Sequence, residues 1–402
     1  MSSPHIASRL QRIKPSPSTS AADRANELRR AGRSIVNLVV GEPDFDTPVH
    51  IRDAAKLALD NGATRYTLML GTTELRAAIV AKLARENGLT YAPGEVIVTA
   101  GAKSAIHTAF AVTLEAGDEV LIPAPYWVSY PDMVIACDGT PVTLTCAEEN
   151  DFKLTPAQLE AAITPRTRWL LINSPSNPTG AAYTAAEYRG LADVLLRHPQ
   201  VMVMTDDIYE HINYTGSPTA HILVTEPALK PRTLVINGVS KTYAMTGWRI
   251  GFAAGPKAIV DAMCTLLSQS SGNCCTVSQA AATEAYTGDQ GFIAETLAVY
   301  HQRRDAMLAA LRSVPGLGCR TPEGAFYLYV NCAGLLGKKT PSGAVLANDI
   351  DVVMYLLDSE GVAVVAGSAY GLSPYFRLSI ATTMENLEEG ARRIARAVGA
   401  LS

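Results

Sequence analysis

The stretch "RTLVINGVSKTYAMTGWRIGFAAGP", residues 232–256, is the most informative part of the sequence about the fold. An apolar run leads into small residues, a lysine at position 241 and an arginine at position 249, and a second apolar run follows. Short runs rich in Val, Ile and Leu that end in small or polar residues are typical of buried strands. The stretch therefore predicts a strand that brings Lys241 to a fixed point, with Arg249 returning on the next segment.

Similar runs recur from about residue 95 to residue 256 and alternate with helix-like segments. They include EVIVTAG, DEVLIPAPYW, RWLLINSPSNPTG and VMVMTDDIYEH. Such alternation predicts an α/β fold with a large, mostly parallel sheet flanked by helices. The tail from about residue 320, which includes YFRLSIATT and a final helix, is typical of a smaller α+β unit.

These patterns predict three divisions of the chain. Residues 1–48 form an N-terminal arm and part of the small domain, 49–319 a large cofactor-binding domain, and 320–402 a small C-terminal domain. Within the first division, KPSPSTS (14–20) predicts an extended arm, because proline lacks a backbone donor and resists helix. A helix over AADRANELRRAG comes next and ends at Gly32.

Composition excludes several classes of protein. Of the 402 residues, 48% are hydrophobic and 18% charged, which argues against a disordered chain. The net charge of −4 gives no reason to expect nucleic acid or an anionic membrane as a partner. No apolar run is long enough for a transmembrane helix, and the N-terminal residues do not resemble a signal peptide. Seven scattered cysteines without zinc spacing predict reduced thiols, a cytoplasmic protein and no metal site.

Polar residues come after the predicted strands, where a ligand is expected. Open α/β sheets bind ligands at the carboxyl ends of their strands. Five strand ends carry candidate residues: Gly101-Ala102-Lys103, Tyr126-Trp127, Asn177, Asp206 and Ser240-Lys241. Neither a GxGxxG fingerprint after a strand, a P-loop, HExxH nor a GxSxG elbow is found.

These residue types together suit one cofactor. A lysine forms a Schiff base with an aldehyde, and an aspartate keeps a pyridine nitrogen protonated. Asn and Tyr hydrogen-bond a phenolate oxygen, an aromatic side chain stacks on a flat ring, and a helix N-terminus with Ser and Arg holds a phosphate. The set predicts pyridoxal 5′-phosphate.

The motifs also resemble a known family. SKTYAMTGWRIG, NSPSNPTGAAY, TDDIYEH, PAPYWVSYP, VVGEPDFDTP and FRLSIAT are similar, in the same order, to those of the class I aminotransferases among the fold-type-I pyridoxal-phosphate enzymes. The N-terminal IKPS and the segment TAGAKSA are closest to the bacterial aspartate/prephenate aminotransferase branch. The resemblance covers essentially the whole chain and implies that fold.

The resemblance implies a role for each residue of the cofactor site. Lys241 would be the Schiff-base lysine and Asp206 the partner of the pyridine nitrogen. Tyr209 and Asn177 would contact the ring oxygen O3′, and Trp127 would stack on the ring. The phosphate would be held by a further set: Gly101, Ala102, Lys103, Ser240, Arg249 and, from the neighbouring subunit, Tyr66. Lys241, Asp206 and Tyr209 would be the catalytic residues.

For the substrate, the resemblance implies that Gly41 and Arg377 bind the α-carboxylate, assisted by Asn177 and Trp127. Lys103, in the first turn of a helix, is either a solvated lysine or meets an anion, which could be the phosphate or a distal carboxylate. Lys14 is either a mobile arm residue or a second carboxylate contact. The chain departs from the branch in three segments near the substrate: 17–20, 68–70 and 271–275.

The function implied is ping-pong transfer of an amino group between an L-amino acid, aspartate or glutamate, and a 2-oxo acid. Two alternatives remain open. One is an aminotransferase for prephenate, an aromatic or another amino acid, and the other is a lyase or decarboxylase on the same scaffold. A homodimer with active sites at the interface is also implied.

Overall fold

The computed structural model describes residues 6–15 and 17–402, except the side chains of residues 18 and 19. Its strands are β1 (Val36–Asn37), β2 (Val96–Thr99), β3 (Glu119–Ala124), β4 (Thr140–Thr145), β5 (Thr167–Asn173), β6 (Met202–Asp206), β7 (Thr233–Gly238), β8 (Gly251–Ala254), β9 (Gly318–Cys319), β10 (Tyr327–Asn331), β11 (Val362–Ala363), β12 (Val365–Ala366) and β13 (Tyr375–Ser379). Its α-helices are α1 (Pro17–Arg30), α2 (Val49–Asp60), α3 (Thr73–Asn87), α4 (Ala102–Thr113), α5 (Tyr130–Ala136), α6 (Pro156–Ala162), α7 (Ala185–Arg197), α8 (Ile222–Thr225), α9 (Lys257–Ser268), α10 (Thr276–Thr287), α11 (Gly291–Arg312), α12 (Asp349–Glu360) and α13 (Met384–Gly399).

The large sheet has seven strands in the order β2-β8-β7-β6-β5-β3-β4. Only β8 runs against its neighbours, and the other pairings are parallel. Successive residues of β7 point to opposite faces. Leu234 and Ile236 pack on the face covered by α4, α5 and α9, whereas Val235 packs on the opposite face with α3, α7 and α10. The predicted α/β class and mostly parallel sheet are confirmed.

The parallel arrangement explains why the predicted site residues lie together. β2 is antiparallel to β8, and β8 is antiparallel to β7, so β2 has the same direction as the parallel strands. The carboxyl ends of β2, β3, β5, β6 and β7 therefore meet at one edge of the sheet. Each of the five polar segments in the sequence lies at the end of one of these strands or within four residues after it.

A second, four-stranded antiparallel sheet has the order β12-β13-β10-β9. Its core includes Phe326 and Phe376, and Met307 and Leu311 of α11 pack into the same core. The N-terminal strand β1 pairs in parallel with β11, so the start of the chain joins this C-terminal unit. The division at 1–48, 49–319 and 320–402 stays a prediction.

The N-terminal segment differs from its prediction. The proline-rich stretch at 14–20 is not an extended arm throughout, because α1 already begins at Pro17. Proline is well suited to the first position of a helix, where its missing N–H has no intrahelical partner to lose and its φ is already helical. Within the described residues, no helix combines the length and apolar character needed to cross a membrane.

Candidate active site

A cavity of about 340 Å³ opens at the carboxyl edge of the large sheet, facing β10 and β13. Eleven predicted site residues line it: Gly41, Ala102, Lys103, Trp127, Asn177, Asp206, Tyr209, Ser240, Lys241, Arg249 and Arg377. They come from the large sheet, the four-stranded sheet and the loops beside them, and the outermost two, Gly41 and Arg377, are more than 300 residues apart in the chain. The cavity therefore brings together groups that the sequence could only place at separate strand ends.

Lys241 lies in the turn after β7. Its Nζ donates a hydrogen bond to the carbonyl oxygen of Gly41 at 2.5 Å. Burial lowers the pKa of the Lys241 amine to about 8, an effect that the nearby charge of Glu42 partly opposes. An amine with that pKa is neutral in a useful fraction of molecules near neutral pH, which suits a nucleophile or a base.

Asp206 is the last residue of β6 and is 4% exposed. Its Oδ2 accepts a hydrogen bond from the Tyr130 hydroxyl at 2.6 Å. Burial raises the pKa of the Asp206 carboxyl to about 6, although the Tyr130 hydrogen bond opposes that shift. The adjacent Asp207 turns away and contacts Thr205 Oγ1 at 3.1 Å and His221 Nε2 at 3.2 Å. Only one carboxylate of the pair therefore lines the cavity.

Arg377 enters from β13 and is 2% exposed. Its Nη1 donates to Asn177 Oδ1 at 3.0 Å and its Nη2 to the carbonyl oxygen of Val39 at 2.6 Å. The buried Nε has no hydrogen-bond partner in the described part of the chain. A buried donor without a partner is costly, so this guanidinium is suited to an anionic acceptor that enters the cavity.

The turn between β2 and α4 forms the other end of the cavity. Gly101 caps α4 with a φ of +85°, a left-handed conformation that favours glycine, and an added Cβ would collide with Nη2 of Arg249. Arg249 is fixed by hydrogen bonds to the carbonyl oxygens of Thr246 at 2.9 Å and Ala100 at 3.1 Å. The helix N-terminus and the guanidinium together form a cradle for an anion.

Lys103 projects from the first turn of α4 toward the same space. Its Nζ lies 4.8 Å from the centre of the Trp127 ring. Burial, and to a lesser extent the charge of Arg249, lower the pKa of its amine. The ion pairs of the described residues include none with Lys103, Arg249 or Arg377. Three uncompensated cations therefore converge on one cavity, which favours a ligand with more than one negative group.

Three predicted site residues do not line the cavity within one chain: Tyr66, Lys14 and Gly101. The side chain of Tyr66 is 95% exposed and lies outside it. Lys14 lines a separate surface groove beside Asp132, whose carboxylate accepts its backbone N–H at 3.3 Å. Gly101 does not line the cavity, but it lies against Arg249, which does.

Five residues that line the cavity are not predicted from the sequence: Tyr130, Asn173, Ile208, Thr246 and Tyr327. All except Tyr327 lie within four residues of a predicted one. Asn173, for example, donates from Nδ2 to the carbonyl oxygen of Asp206 at 2.7 Å and accepts the backbone N–H of Asn177 at 2.8 Å. Proximity in sequence is the available signal, but it does not say which neighbour faces inward.

Comparisons with known proteins agree with this geometry. The sequence profile of the family "Aminotransferase class I and II" matches residues 33–394. A probable aspartate/prephenate aminotransferase of Rhizobium leguminosarum bv. phaseoli is 51% identical, over 98% of this chain and 99% of that protein. The aspartate/prephenate aminotransferase of Cereibacter sphaeroides is 50% identical, over 99% of both chains.

Solved structures give the same picture. The crystal structure of the aspartate aminotransferase of Rhizobium meliloti covers 100% of both chains, with a TM-score of 0.98 and 50% identity. The Thermus thermophilus aspartate aminotransferase with maleate covers 98% of this chain and 100% of that one, with a TM-score of 0.91 and 39% identity.

Proposed function

The chain belongs to the class I and II aminotransferases, and from that premise we propose that it transfers the amino group of aspartate or glutamate to a 2-oxo acid, with pyridoxal 5′-phosphate held beside Lys241. The family depends on that cofactor and acts on amino and oxo acids. The relatives found are named as aminotransferases, so a lyase or decarboxylase is not favoured. The convergence of Lys241, Asp206 and Arg377 in one cavity carries the proposal.

The residues present fit the cofactor. Lys241 supplies an amine of lowered pKa for its aldehyde, and Asp206, oriented by Tyr130, supplies a buried carboxylate for its ring nitrogen. Gly101 leaves room where any Cβ would strike Arg249, as a phosphate cradle requires. Ala102, Lys103 and Ser240 would complete that cradle. Asn177 and Tyr209 would contact the ring oxygen, with Trp127 beside the ring.

When bound, pyridoxal phosphate supplies an electron-accepting ring that stabilises negative charge at the amino acid's Cα. The chain's own residues would move the protons and hold the ring nitrogen in its charged form. Lys241, neutral in part near neutral pH, would take the Cα proton and return it as a general base and acid. Asp206 would hold a proton at the ring nitrogen, because a nearby carboxylate favours the charged pyridinium.

Arg377 and the backbone at Gly41 would orient the substrate's α-carboxylate. Arg377 lines the cavity, and its guanidinium retains an Nε without a partner among the described residues. Bidentate contact with a guanidinium fixes the carboxylate's plane and hence the direction of the Cα–H bond. Removing the Arg377 charge should therefore raise KM for every amino acid substrate.

A dicarboxylic substrate is supported by Lys103, a cation at the cavity whose charge no described carboxylate neutralises. The Thermus thermophilus relative was solved with maleate, which is itself a dicarboxylate. Lys14 would contribute a second contact only if its arm moved, since it lines a separate surface groove. We therefore propose Lys103 as the first contact of the distal carboxylate.

A homodimer is also part of the proposal. Tyr66 is 95% exposed, and apolar side chains of the neighbouring helix α2 are exposed with it, among them Val49, Leu57 and Leu59. Burial of these side chains against a second copy of the chain would be favourable. A second copy of the chain on this face would give Tyr66 the phosphate role that it has no means to play in its own subunit.

A single-turnover screen tests the function. The purified protein with bound cofactor is mixed with individual amino acids, and the visible absorption of the cofactor is followed. An aminotransferase converts the cofactor to its aminated form in one half-reaction, whereas a lyase does not accumulate that form. If neither aspartate nor glutamate converts the cofactor while another amino acid does, the dicarboxylate assignment is wrong. If no amino acid converts the cofactor, the proposed aminotransferase activity is contradicted.

A further inference from the structure

Tyr327 is a cavity residue to which no role has yet been given. It lies at the start of β10 and is 1% exposed. Its hydroxyl oxygen is 2.9 Å from the hydroxyl oxygen of Tyr209, and either atom could be the donor. The Cζ of Arg377 lies 4.3 Å from the centre of its ring. Tyr327 thus contacts both the cofactor side and the carboxylate side of the site.

The pairing of β10 with β13 creates these contacts. In the antiparallel register, Tyr327 is opposite Ser379 and Tyr329 is opposite Arg377. Tyr327 and Arg377 are therefore diagonal neighbours on one face of the sheet, within reach of long side chains. A Cβ at Gly41 would lie 3.1 Å from the Tyr327 hydroxyl oxygen. Gly41, which with Arg377 forms the proposed α-carboxylate site, therefore lies against the Tyr327 hydroxyl.

We infer that Tyr327 is a positioning residue whose hydroxyl donates to Tyr209, leaving Tyr209 to donate to the cofactor's ring oxygen, and whose ring supports the guanidinium of Arg377. This inference rests on the proposed function. A tyrosine hydroxyl has one proton to donate. If Tyr209 gives its proton to the ring oxygen, only Tyr327 can be the donor between the two hydroxyls.

The hydrogen-bonded chain from Tyr327 through Tyr209 to the cofactor's ring oxygen, called the relay below, has an electrostatic consequence. Hydrogen bonds in a chain polarise one another, so a donor behind Tyr209 strengthens the bond that Tyr209 makes. The Arg377 cation is attracted to the face of the Tyr327 ring. Its positive charge also makes the Tyr327 hydroxyl a stronger hydrogen-bond donor. Both effects stabilise negative charge on the cofactor's ring oxygen.

The charged and titratable groups around the relay are known. Asp206 comes from β6 and Tyr130 from α5, Lys241 from the turn after β7, and Arg377 from β13. Lys103 and Arg249 also line the cavity, and the charge of Glu42 acts on Lys241. A substitution that removes only the Tyr327 hydroxyl leaves all of them in place.

The primary test is the apparent pKa of the Lys241-bound cofactor, read from its visible absorption. Tyr327→Phe removes the donor and should raise this apparent pKa by about 0.5 to 1 unit, the equivalent of one neutral hydrogen bond. KM for aspartate should change little, because the ring under Arg377 remains. Tyr327→Leu also removes that ring and should raise KM by about five- to thirtyfold.

Two comparisons isolate the relay. In a Tyr209→Phe background, Tyr327→Phe should produce no further shift, because the hydroxyl has lost the group through which it acts. The matched control is Tyr329→Phe, two residues along β10, where the hydroxyl donates to the carbonyl of Leu372 at 2.7 Å and does not line the cavity. Its cofactor spectrum should titrate as in the unaltered protein.

The outcomes separate the inference from the proposed function. An unaltered protein that converts its cofactor with aspartate, together with a Tyr327→Phe variant of unchanged apparent pKa, overturns the relay. An equal shift in Tyr329→Phe, or an undiminished shift in the Tyr209→Phe background, overturns it also. Failure of the unaltered protein to convert its cofactor instead contradicts the proposed function.

Discussion

A lysine amine is useful to an aminotransferase only if it can lose its proton near neutral pH. Lys241 meets that need because burial disfavours its ammonium form and lowers its pKa from 10.5 to about 8. At pH 7 the neutral fraction is then about a tenth, several hundred times that of an ordinary lysine. The same burial makes the ammonium a cost to the folded protein that disappears as pH rises from about 8 towards 10.5.

Capture of pyridoxal phosphate by cofactor-free protein should depend on this titration. We expect the rate of linkage to Lys241 to rise with pH with a midpoint near 8, as the amine becomes neutral. Stopped-flow absorbance measures the rate. The same cofactor mixed with a simple alkylamine corrects for the cofactor's own titration, and Lys241→Ala should form no linkage. A midpoint near 10.5 would contradict the role assigned to burial.

Asp206 should destabilise the cofactor-free protein. Its folded-state pKa of about 6 lies above the ordinary 3.8, so the penalty is full above pH 6 and is relieved as pH falls from 6 towards 4. Asp206→Asn should therefore raise the free energy of unfolding by up to about 3 kcal/mol at pH 7.5. It should add much less at pH 4.5, and transaminase activity should be lost.

Urea unfolding of the cofactor-free proteins at the two pH values checks this prediction. Asp207→Asn is the matched control, because this neighbouring buried carboxylate is paired with His221 and Thr205. That substitution should stabilise the protein at neither pH. Equal stabilisation by Asp206→Asn at both pH values would mean that desolvation of the carboxylate is not the cause.

At the scale of elements, the turn between β2 and α4 restricts which residue can occupy position 101. Gly101→Ala adds a Cβ that strikes Arg249 and imposes a φ of +85° on a non-glycine residue. We expect the affinity for pyridoxal phosphate to fall by at least about tenfold, the equivalent of about 1.4 kcal/mol. Equilibrium titration of cofactor-free protein measures it.

Gly117→Ala provides the control for backbone strain. Gly117 also has a left-handed φ, +96°, but an added Cβ there meets no atom within 4 Å. It should lower stability without changing cofactor affinity. Equal loss of affinity in both variants would show that lowered stability, and not the collision with Arg249, is the cause.

The strands of the large sheet could be predicted because each is an apolar run that ends in a polar or small residue. The strand ends at Thr99, Asp206 and Gly238 are of this kind. Tyr327 could not be assigned in the same way, because it lies in an aromatic-rich strand whose alternation says which residues share a face but not which sheet that face meets. Its contacts depend on the β10–β13 register, which is set by tertiary pairing.

The start of α1 differs from its prediction for a local reason. The two prolines in KPSPSTS favour an extended arm, yet the second, Pro17, opens the helix. Proline is compatible with both roles, and only the conformation of the residues after it decides between them. The same ambiguity does not arise at Pro156, because Thr155 caps α6 by accepting a hydrogen bond from the backbone N–H of Gln158 at 3.3 Å.

At the scale of the whole molecule, one chain leaves the proposed site incomplete. Tyr66 is 95% exposed, and Leu68 in the same loop is 59% exposed. α2 packs on α10, whose N-terminus comes after the cysteine-bearing segment 271–275, and Thr276 Oγ1 donates to the carbonyl of Arg65 at 2.7 Å. The loop that carries Tyr66 is thus fixed against its own subunit while its side chain points outward.

Mixing two defective variants should restore activity if Tyr66 serves the neighbouring subunit. Lys241→Ala subunits lack the amine but retain Tyr66, and Tyr66→Ala subunits retain the amine. In a mixed dimer one site would receive Lys241 from its own chain and Tyr66 from the partner, and would be intact, whereas the other would lack both. At an equal ratio, about half of the molecules are mixed, with one working site of two, so about a quarter of full activity should appear.

The measurement is transaminase activity after the two proteins are dissociated, mixed and reassembled, at a cofactor concentration that leaves Tyr66→Ala homodimers largely empty. Each variant treated alone provides the control and should stay near its starting activity. If Tyr66 acts within its own subunit, every site that keeps Lys241 still lacks Tyr66, and mixing gives no gain. A gain therefore requires both that the chain is a dimer and that the exposed tyrosine crosses its interface, which a measurement of mass alone could not establish.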